Sequence, residues 1–540
     1  MKVNILGAGL AGLSCAYECA QHNIACRLIS IQASERAQSV MAEGGINGAC
    51  NTMGEEDCPQ NHIRDTLKAG CHIADAEAVA GMCTEAPELI EWLAGLGVPF
   101  NRNQDGTLSL RNFGGQKKKR TAYAQSSTGK QIMSTLIDAV RRYESNGLVE
   151  RFCHHAFAGL ILEEHICKGI CLQDDYTGEM LAFAGPVVLC AGGLGGLFAG
   201  KTTGTTANDA SVQSICYLQG VEMGNLEMIQ YHPTTITLPG KRGLVSEAAR
   251  GEGGRLFIPK NGENYYFMEE GFELGNLAPR DVISREIYFL LHSQEPGLEK
   301  QVYLDLRNLP GDVWKKKLSD LRAELIHYLN TDPKKTPIPV EPGIHYFMGG
   351  IHVNRNHETN IPGLYAAGEC CDQYHGANRL GGNSLLGALY GGRRAGRQVS
   401  AQYDVLFAKA EDWEINRSAV SAFGRRHSIS PSLQQKIGEI LYSALGIARN
   451  EEDLTTGIKT LEKLQGDFDI QPKTPEYGYI TLGLAMLESA CYRRESRGAH
   501  YRSDYPALDE AYRGIILAEY HEDSKHKVTL RFQKTENPTG

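Results

Sequence analysis

The sequence lacks the features of secreted, iron–sulfur and nucleic-acid-binding proteins. No charged segment followed by an apolar core and a cleavage site stands at the N-terminus, so no signal peptide is expected. None of the fifteen cysteines forms a C-x-x-C pair, which argues against an iron–sulfur cluster or another metal site and favours reduced thiols in a cytosolic protein. The net charge of −9 argues against nucleic acid as a partner.

Segments without charged side chains and segments of like charge are both short in this sequence. Residues 180–200 carry no charged side chain, but they include Pro186 and six glycines and lead into Lys201. We therefore predict a buried strand followed by a glycine turn, and no membrane span. The basic run at 117–120, Lys-Lys-Lys-Arg, has only four residues in an acidic protein, and we predict a solvated loop there.

Glycine, by contrast, is abundant. Sixty glycines make up one residue in nine, above the usual ~7%, and predict many tight turns and close approaches of the backbone to a ligand. The chain of 540 residues is too long for one core, so two to four domains are expected. No internal repeat is present.

A strand–helix–strand unit opens the chain, with a strand at 2–6, a helix at 12–22 and a second strand at 25–30. Gly7-Ala-Gly9-Leu-Ala-Gly12 joins the first strand to the helix and has the form G-x-G-x-x-G. The first glycine allows the turn, the second a close approach to a pyrophosphate, and the third the packing of helix on strand. The helix N-terminus then supports the negative charge.

Two more glycine clusters follow apolar strands. Cys190-Ala-Gly-Gly193 follows the strand that ends the short strands of 150–190, and the segment 363–369, G-L-Y-A-A-G-E, supplies the carboxylate of Glu369 for ribitol or ribose hydroxyls. The second strand ends near Ser30 and Gln32 without an acidic residue, which argues against a simple NAD site. Three strand–glycine junctions so far apart in the chain suit FAD, a long ligand.

The remaining segments differ in character. Helical patterns stand at 76–97 and 129–145, a mixed, proline-containing unit at 226–340, a glycine-rich strand–helix region at 345–400 and a charged helical region at 403–500, followed by two short strands at about 513–519 and 527–532.

A series of motifs stands in the order and rough spacing of one known family, from residue 1 to about 506. They are SVMAEGGING at 39–48, FGG at 113–115, RTAY at 120–123, QYHPT at 230–234, SEAARGEGG at 246–254, LAPRD at 277–281, HYFMGG at 345–350, HGANRLGGNSLL at 375–386 and ESRGAH at 495–500. The chain thus resembles the flavoprotein subunits of fumarate reductase and succinate dehydrogenase, and its middle part is similar to the forms in Gram-positive respiratory complexes.

The resemblance implies an α/β fold. It consists of a Rossmann-like FAD-binding domain (1–225 and 345–402) with an inserted α+β capping domain (226–344), followed by a helical domain (403–505) and a short C-terminal tail containing β-strands (506–540). The active site of the family lies between the FAD-binding and capping domains. The FAD contacts that we carry over are Gly7, Gly9, Gly12, Ser39, Gly44, Gly45, Gly193, Glu369, Asn383, Ser384 and Leu385.

The implied reaction moves a hydride between N5 of FAD and a C4 dicarboxylate, reducing fumarate to succinate or the reverse. A dicarboxylate needs cations and donors at both ends. Arg379 can bind one carboxylate as a bidentate fork. The other expected donors are His232, His345 and Ser246, the last in place of the usual threonine of the family.

By the family pattern, Arg280 exchanges the second proton with the substrate, and Glu247 and Arg250 form the proton relay behind it. A guanidinium is an unusual acid because it holds its proton strongly. It becomes reasonable as a donor when its partner is a strongly basic carbanion formed after hydride transfer.

One departure from the family is informative. Respiratory members carry a histidine that forms a covalent bond to flavin, and Gln38 occupies that position here. Glutamine cannot make this bond, so we expect non-covalent FAD. In the family, loss of the bond lowers the flavin potential and favours fumarate reduction over succinate oxidation.

Three alternatives stay open. L-aspartate oxidase is a relative without the covalent bond, but its pattern has a glutamate where this chain has Phe113, and RLGGNS at 379–384 has the dehydrogenase form. The others are a reductase of another 2-enoate and an electron-carrying subunit without a substrate. No haem-attachment motif or flavodoxin-like domain is present, so the resemblance implies an iron–sulfur partner subunit. The expected location is cytoplasmic, peripheral at the cytoplasmic face of the membrane through partner subunits.

Overall fold

The computed structural model describes residues 1–407, 429–472 and 474–535. Its helices are α1 Leu10–Gln21, α2 Pro59–Ala69, α3 Ala76–Leu96, α4 Thr128–Ser145, α5 Ser211–Leu218, α6 Ala248–Gly251, α7 Phe267–Gly271, α8 Arg280–His292, α9 Gly311–Lys316, α10 Ser319–Leu329, α11 Asn383–Phe407, α12 Pro431–Ala444, α13 Glu451–Asp467 and α14 Pro475–Tyr492. The first, third and fourth of these confirm the helices predicted at 12–22, 76–97 and 129–145.

Five strands form a parallel sheet in the order β19 (Leu364–Ala366), β10 (Val187–Leu189), β1 (Val3–Leu6), β2 (Cys26–Ser30) and β6 (Val149–Cys153). Alternate residues of β1 enter two different cores. Val3 and Ile5 pack with the helices α1, α3 and α4, whereas Leu6 packs with an antiparallel sheet on the other face. Both faces are covered, which explains why these strands are continuously apolar in the sequence.

That covering sheet has three strands, β7 (His155–Glu163), β8 (Ile166–Asp174) and β9 (Met180–Ala184). The uncharged segment 180–200 therefore holds β9 and then β10, two strands that belong to different sheets, and ends in a 3₁₀ turn at Gly195–Phe198. In the part of the chain that the structure describes, no helix is long and apolar enough to cross a membrane.

The capping region has a sheet and a core of its own. Its antiparallel strands run in the order β13 (Lys241–Leu244), β12 (Ile229–Leu238), β17 (Ile338–Phe347), β16 (Val302–Asp305), β14 (Arg255–Lys260) and β15 (Glu263–Tyr265). Apart from Phe113, the buried members of its core lie between residues 236 and 340. The predicted boundary at 344/345 falls inside β17, which continues from this sheet towards the flavin domain.

The C-terminal tail completes a sheet with much earlier residues. Strands β20 (Gly514–Tyr520) and β21 (Val528–Lys534) lie close to the predicted ranges. They follow β18 (Gly350–Ile351) and β11 (Met223–Gly224) in the order β18–β11–β20–β21. Helices α12 to α14 confirm the helical character of the region before the tail, while 408–428 of the predicted helical domain lies outside the described residues.

The structure of the basic run at 117–120 differs in part from the predicted solvated loop. The remaining strands, β3 (Ile46–Asn47), β4 (Leu110–Arg111) and β5 (Thr121–Ala122), form a small sheet beside it. Lys119 pairs with Glu55 at the surface, as a solvated loop would allow. Arg120, however, is fully buried, with Nε 3.0 Å from Asp57 Oδ2 and Nη2 2.8 Å from Asp65 Oδ2. The prediction of a solvated loop is therefore wrong for Arg120, whose charge is balanced by two acids distant in sequence.

Candidate active site

The three predicted glycine junctions meet at one edge of the parallel sheet. Strands β1, β10 and β19 are neighbours, and their registers pair Leu6 with Leu189 and Leu189 with Ala366. Parallel strands end at a common edge, so the three glycine segments that follow lie side by side. One long cleft runs from this edge to the capping sheet.

The first junction has the shape of a pyrophosphate cradle. Gly7 has a φ of +115°, and a Cβ there would lie 2.1 Å from the carbonyl oxygen of Cys190. A Cβ on Gly12 would lie 1.7 Å from the carbonyl oxygen of Gly7, so this glycine serves the packing of α1 and does not line the cleft. The N-cap residue of α1, Gly9, has no side chain to cap the helix, and no acidic residue stands in the first turn. An anion fits this helix end.

The other predicted FAD contacts divide into two groups. Ser39, Gly44, Gly45, Glu369, Ser384 and Leu385 line the cleft. Ser39 Oγ accepts from the amide of Leu10 at 3.2 Å, which places Ser39 at the N-terminus of α1. Gly193 and Asn383 do not line the cleft. A Cβ on Gly193 would lie 2.5 Å from Glu369 Oε1. The side-chain amide of Asn383 forms hydrogen bonds with the side chains of Asn47, His62 and Thr66.

Glu369 combines burial with a position in the cleft. Its Oε1 accepts from the amide of Phe347 at 3.2 Å. Burial raises the pKa of this carboxyl to about 7, against the opposing effects of that amide and of Arg379. A half-protonated carboxyl can both donate to and accept from sugar hydroxyls, which suits the ribose or ribitol contact expected of it.

Gln38, which the resemblance matched to the linking histidine, lies in the cleft and is held by the protein. Its Oε1 accepts from the amide of Thr205 at 2.7 Å. The Gln38 side chain is therefore anchored to the loop after β10 at the wall of the cleft.

The predicted catalytic residues form one buried chain of ion pairs. Arg280 opens α8 and donates to Glu247 Oε2 through Nε at 3.0 Å and Nη2 at 2.6 Å. Behind it, Arg250 Nη2 lies 3.3 Å from Glu247 Oε1. Burial would raise the pKa of Glu247, but Arg280 and Arg250 outweigh it and leave the pKa below its ordinary value. Arg280 and Glu247 line the cleft, and Arg250 lies outside its lining.

Sequence reasoning assigned no role to Gln230, although the residue stands in a quoted motif. Its Oε1 accepts from Arg280 Nη1 at 3.1 Å. Its Nε2 donates to Asn378 Oδ1 at 2.7 Å and to the carbonyl oxygen of Arg379 at 2.8 Å. Gln230 thus joins the segments that carry the two arginines. Only the fold brings these positions together, so the sequence held no signal for this role.

Arg379 has the surroundings of an anion-binding residue. Its guanidinium carbon lies 4.4 Å from the ring centre of Tyr346, and its buried Nε has no hydrogen-bond partner. Among the described residues, no carboxylate forms an ion pair with it. Burial and the nearby Arg280 lower the pKa of Arg379 to about 9, so the cation persists at neutral pH. An incoming carboxylate would satisfy both the charge and the free N–H groups.

Two histidines and a serine stand beside the arginines. The rings of His232 and His345 lie 5.0 Å apart, and both line the cleft with Ser246. Burial, reinforced by the positive charge of Arg280, lowers the pKa of each histidine well below its ordinary value. Both imidazoles are therefore neutral at pH 7 and can each donate one N–H.

Glu43 and Phe113 complete the lining on the flavin side. Burial and nearby Glu324 raise the pKa of Glu43 to about 8, while Ser246 lowers it by a hydrogen bond. At neutral pH the carboxyl of Glu43 is therefore mostly protonated, so it does not repel an anionic substrate. Phe113 is buried, and a Cβ on Gly44 would lie 2.9 Å from its ring. A phenyl group thus stands where the aspartate oxidase pattern has a glutamate.

Comparison with known proteins places this architecture in a family. A model described as FAD binding domain matches residues 2–385, and a model described as fumarate reductase flavoprotein C-term matches residues 477–539. The succinate dehydrogenase flavoprotein subunit of Bacillus subtilis is 38% identical over 94% of this chain and 92% of its own length. The chain belongs to the succinate dehydrogenase/fumarate reductase flavoprotein family. This flavoprotein is an FAD-dependent oxidoreductase, and its family match extends beyond residue 506, where the sequence motifs ended.

Two further relatives are named for different activities. A quinol fumarate reductase structure from E. coli matches the flavoprotein with a TM-score of 0.88 and 28% identity, covering 100% of this chain and 97% of that one. The L-aspartate oxidase of Nostoc sp. is 32% identical over 96% of this chain and 93% of its own length. Overall similarity thus confirms the predicted family and fold, and the choice between these activities depends on the site.

Proposed function

We propose that this flavoprotein reduces fumarate to succinate. The observation that carries the proposal is the convergence of two buried arginines and two neutral histidines on one cleft that also contains the glycine cradle. One cation, Arg280, is neutralised by Glu247, and the other, Arg379, is left for a ligand. Such a site favours a small anion with a carboxylate at each end.

The residues of the site would have different roles in substrate binding and proton transfer. Arg379 binds one carboxylate by its free N–H groups, and His232, His345 and Ser246 donate to the other. FAD, when bound, supplies the hydride. Arg280 then donates a proton to the neighbouring carbon, where negative charge develops next to a carboxylate. Binding energy at the two ends of the substrate holds the reacting carbon in place between hydride and proton donors.

The proton that Arg280 gives up would be restored through Glu247 and Arg250. Glu247 bonds Arg250 through Oε1 and Arg280 through Oε2, so its carboxyl would take a proton on Oε1 and turn to deliver that proton to Arg280. Gln230 accepts a hydrogen bond from Nη1 of Arg280. The guanidinium is therefore oriented by Gln230 on one side and by Glu247 on the other. These contacts fix the orientation of the guanidinium, as a proton donor to the substrate requires.

Fumarate reduction should exceed succinate oxidation, because the flavin lacks the covalent bond that raises its potential in respiratory relatives. The test is a comparison of fumarate consumption with reduced viologen as donor against succinate-driven reduction of an artificial acceptor. Equal rates in the two directions would contradict the proposed direction. A screen of other unsaturated acids in the same assay would reveal a different 2-enoate substrate.

The flavin should be released by acid. Gln38 is an amide held by Thr205 and has no nucleophilic ring nitrogen to bond the flavin. Precipitation with acid is therefore expected to leave the yellow colour in the supernatant, where it can be compared with free FAD. Flavin absorbance that stays in the washed pellet would show a covalent bond and refute this assignment.

L-aspartate oxidase is the second candidate, since such enzymes are among the relatives. The ammonium group of aspartate needs an anionic or polar partner, and Phe113 offers neither. An assay of hydrogen peroxide formation from L-aspartate distinguishes the two. A carrier without a substrate is distinguished by adding fumarate to the photoreduced protein, because only a substrate site allows the flavin to be reoxidised.

Electrons must reach the flavin from another molecule. By family resemblance we propose an iron–sulfur partner subunit as the donor, since the known relative from Bacillus subtilis is itself a subunit. We also propose a cytoplasmic location, peripheral at the membrane through such partners. Copurification followed by iron analysis would test the partner, and separation of soluble from membrane fractions would test the location.

A further inference from the structure

We propose that Thr203 is a positioning residue that sets the tautomer of His345, so that this histidine presents an N–H to the substrate. The inference rests on the proposed function, because it concerns the recognition of a carboxylate. Thr203 lies in the loop after β10 and lines the cleft. Its Oγ1 is 2.7 Å from Nδ1 of His345.

The chemistry of a neutral imidazole requires such a partner. The ring carries a single proton, and a carboxylate can only accept hydrogen bonds. For Nε2 of His345 to donate to the substrate, Nδ1 must be the unprotonated nitrogen and must itself accept. A hydroxyl can donate to Nδ1, whereas a backbone carbonyl at that position would force the opposite tautomer. The low pKa of His345 supports a neutral ring.

The competing acceptor for the Thr203 hydroxyl is poorly placed. The carbonyl oxygen of Ile344 lies 3.5 Å from Oγ1, at the outer limit of a hydrogen bond. The amide of Thr203 already donates to that same carbonyl at 2.9 Å. The shorter distance thus favours donation of the hydroxyl proton to Nδ1 of His345.

The loop that carries Thr203 is fixed on both sides. Ile344 donates to the carbonyl oxygen of Lys201 at 3.0 Å, which ties the loop to β17 next to His345. On the other side, the Thr205 amide donates to Gln38. The hydroxyl is thus held in place by the backbone and by the residue at the flavin-linking position, so its orientation does not depend on a mobile segment.

His232 lacks a comparably close hydroxyl, since Thr234 Oγ1 lies 3.4 Å from its Nδ1. Its Nδ1 lies 3.2 Å from the carbonyl oxygen and 3.3 Å from the amide nitrogen of Thr234, so either tautomer finds a partner. The Thr234 hydroxyl donates a hydrogen bond to the carbonyl oxygen of Val245 at 2.9 Å. Loss of the Thr203 hydroxyl should therefore act on His345 alone.

The test uses the FAD-loaded protein and two variants. Thr203→Val keeps the shape but removes the donor, and Thr203→Ser keeps the donor. Thr203→Val is expected to raise both KM for fumarate and Kd for succinate by about tenfold, as for loss of one donor to a charged group, with a smaller change in kcat. Thr203→Ser should stay within about threefold of wild type. Kd is measured from the flavin absorbance change, which reports only on molecules that hold FAD.

A double-mutant cycle separates this role from a general structural effect. In a His345→Ala background, Thr203→Val is expected to change Kd for succinate by less than about twofold, because its effect passes through the missing ring. An equal loss in both backgrounds, or an unchanged Kd in Thr203→Val alone, would overturn the inference. Wild-type protein that neither binds a dicarboxylate nor reduces fumarate would overturn the proposed function and this inference with it.

Discussion

Replacing Arg280 by glutamine is expected to lower the turnover of fumarate by a factor of about 10²–10⁴, the usual loss on removal of a general acid. Glutamine keeps a donor and much of the bulk, but it removes the exchangeable cationic proton and leaves the buried carboxylate of Glu247 without its closest partner. FAD binding should survive, because the glycine cradle lies at the other end of the cleft. Steady-state turnover with reduced viologen and the flavin content of the purified variant are the two measurements.

Arg307→Gln is the matched control. Arg307 lies in the same capping region and also pairs with a carboxylate, Asp305, at 2.9 Å, but its side chain is exposed and does not line the cleft. Its turnover should remain within about threefold of wild type, because the exposed guanidinium contacts neither the cleft nor the ion pairs of Glu247. If Arg280→Gln retains more than about a tenth of wild-type turnover, Arg280 is not the proton donor.

Arg379→Gln should fail differently, by losing substrate affinity together with turnover. The guanidinium that stacks on Tyr346 would be replaced by an amide with one donor group and no charge. We expect KM for fumarate and Kd for succinate to rise by about 10²-fold, equivalent to about 3 kcal/mol for a buried carboxylate deprived of its cation. Flavin absorbance titration measures Kd without turnover.

Arg379→Lys sharpens this test. Lysine restores the charge but not the planar fork, so it should recover only part of the lost affinity. Full recovery would mean that Arg379 acts as a point charge and not as a bidentate ligand. An unchanged Kd in Arg379→Gln would place the carboxylate elsewhere in the cleft, whereas Arg280→Gln is expected to leave Kd nearly unchanged.

Local patterns predicted the strand, turn and helix around Gly7. The motif at Gly7 already implied a strand, a turn and a helix, and the structure gives Gly7 the positive φ that such a turn requires. The three glycine junctions could each be located in the sequence, because each follows a short apolar strand. Their adjacency depends on the order of the strands in the sheet, which no single segment encodes.

Contacts between distant segments were not predictable from patterns. Arg120 looked like the end of a surface charge run, and only the fold brings Asp57 and Asp65 against it. Gln230 and Thr203 are similar cases, since each acquires its role from a partner far away in the chain. Residue type alone does not distinguish a hydroxyl that orients a histidine from the many that face solvent.

The pairing of β20 with β11 has a consequence for how the protein is made. Met223 finds its strand partner, Ala518, only after nearly the whole chain has left the ribosome. Until then one edge of β11 has free amide and carbonyl groups, which can pair with other nascent chains. Non-local pairing of this kind is also slow. The sheet that contains β11 is thus completed last, although β11 itself lies in the first half of the chain.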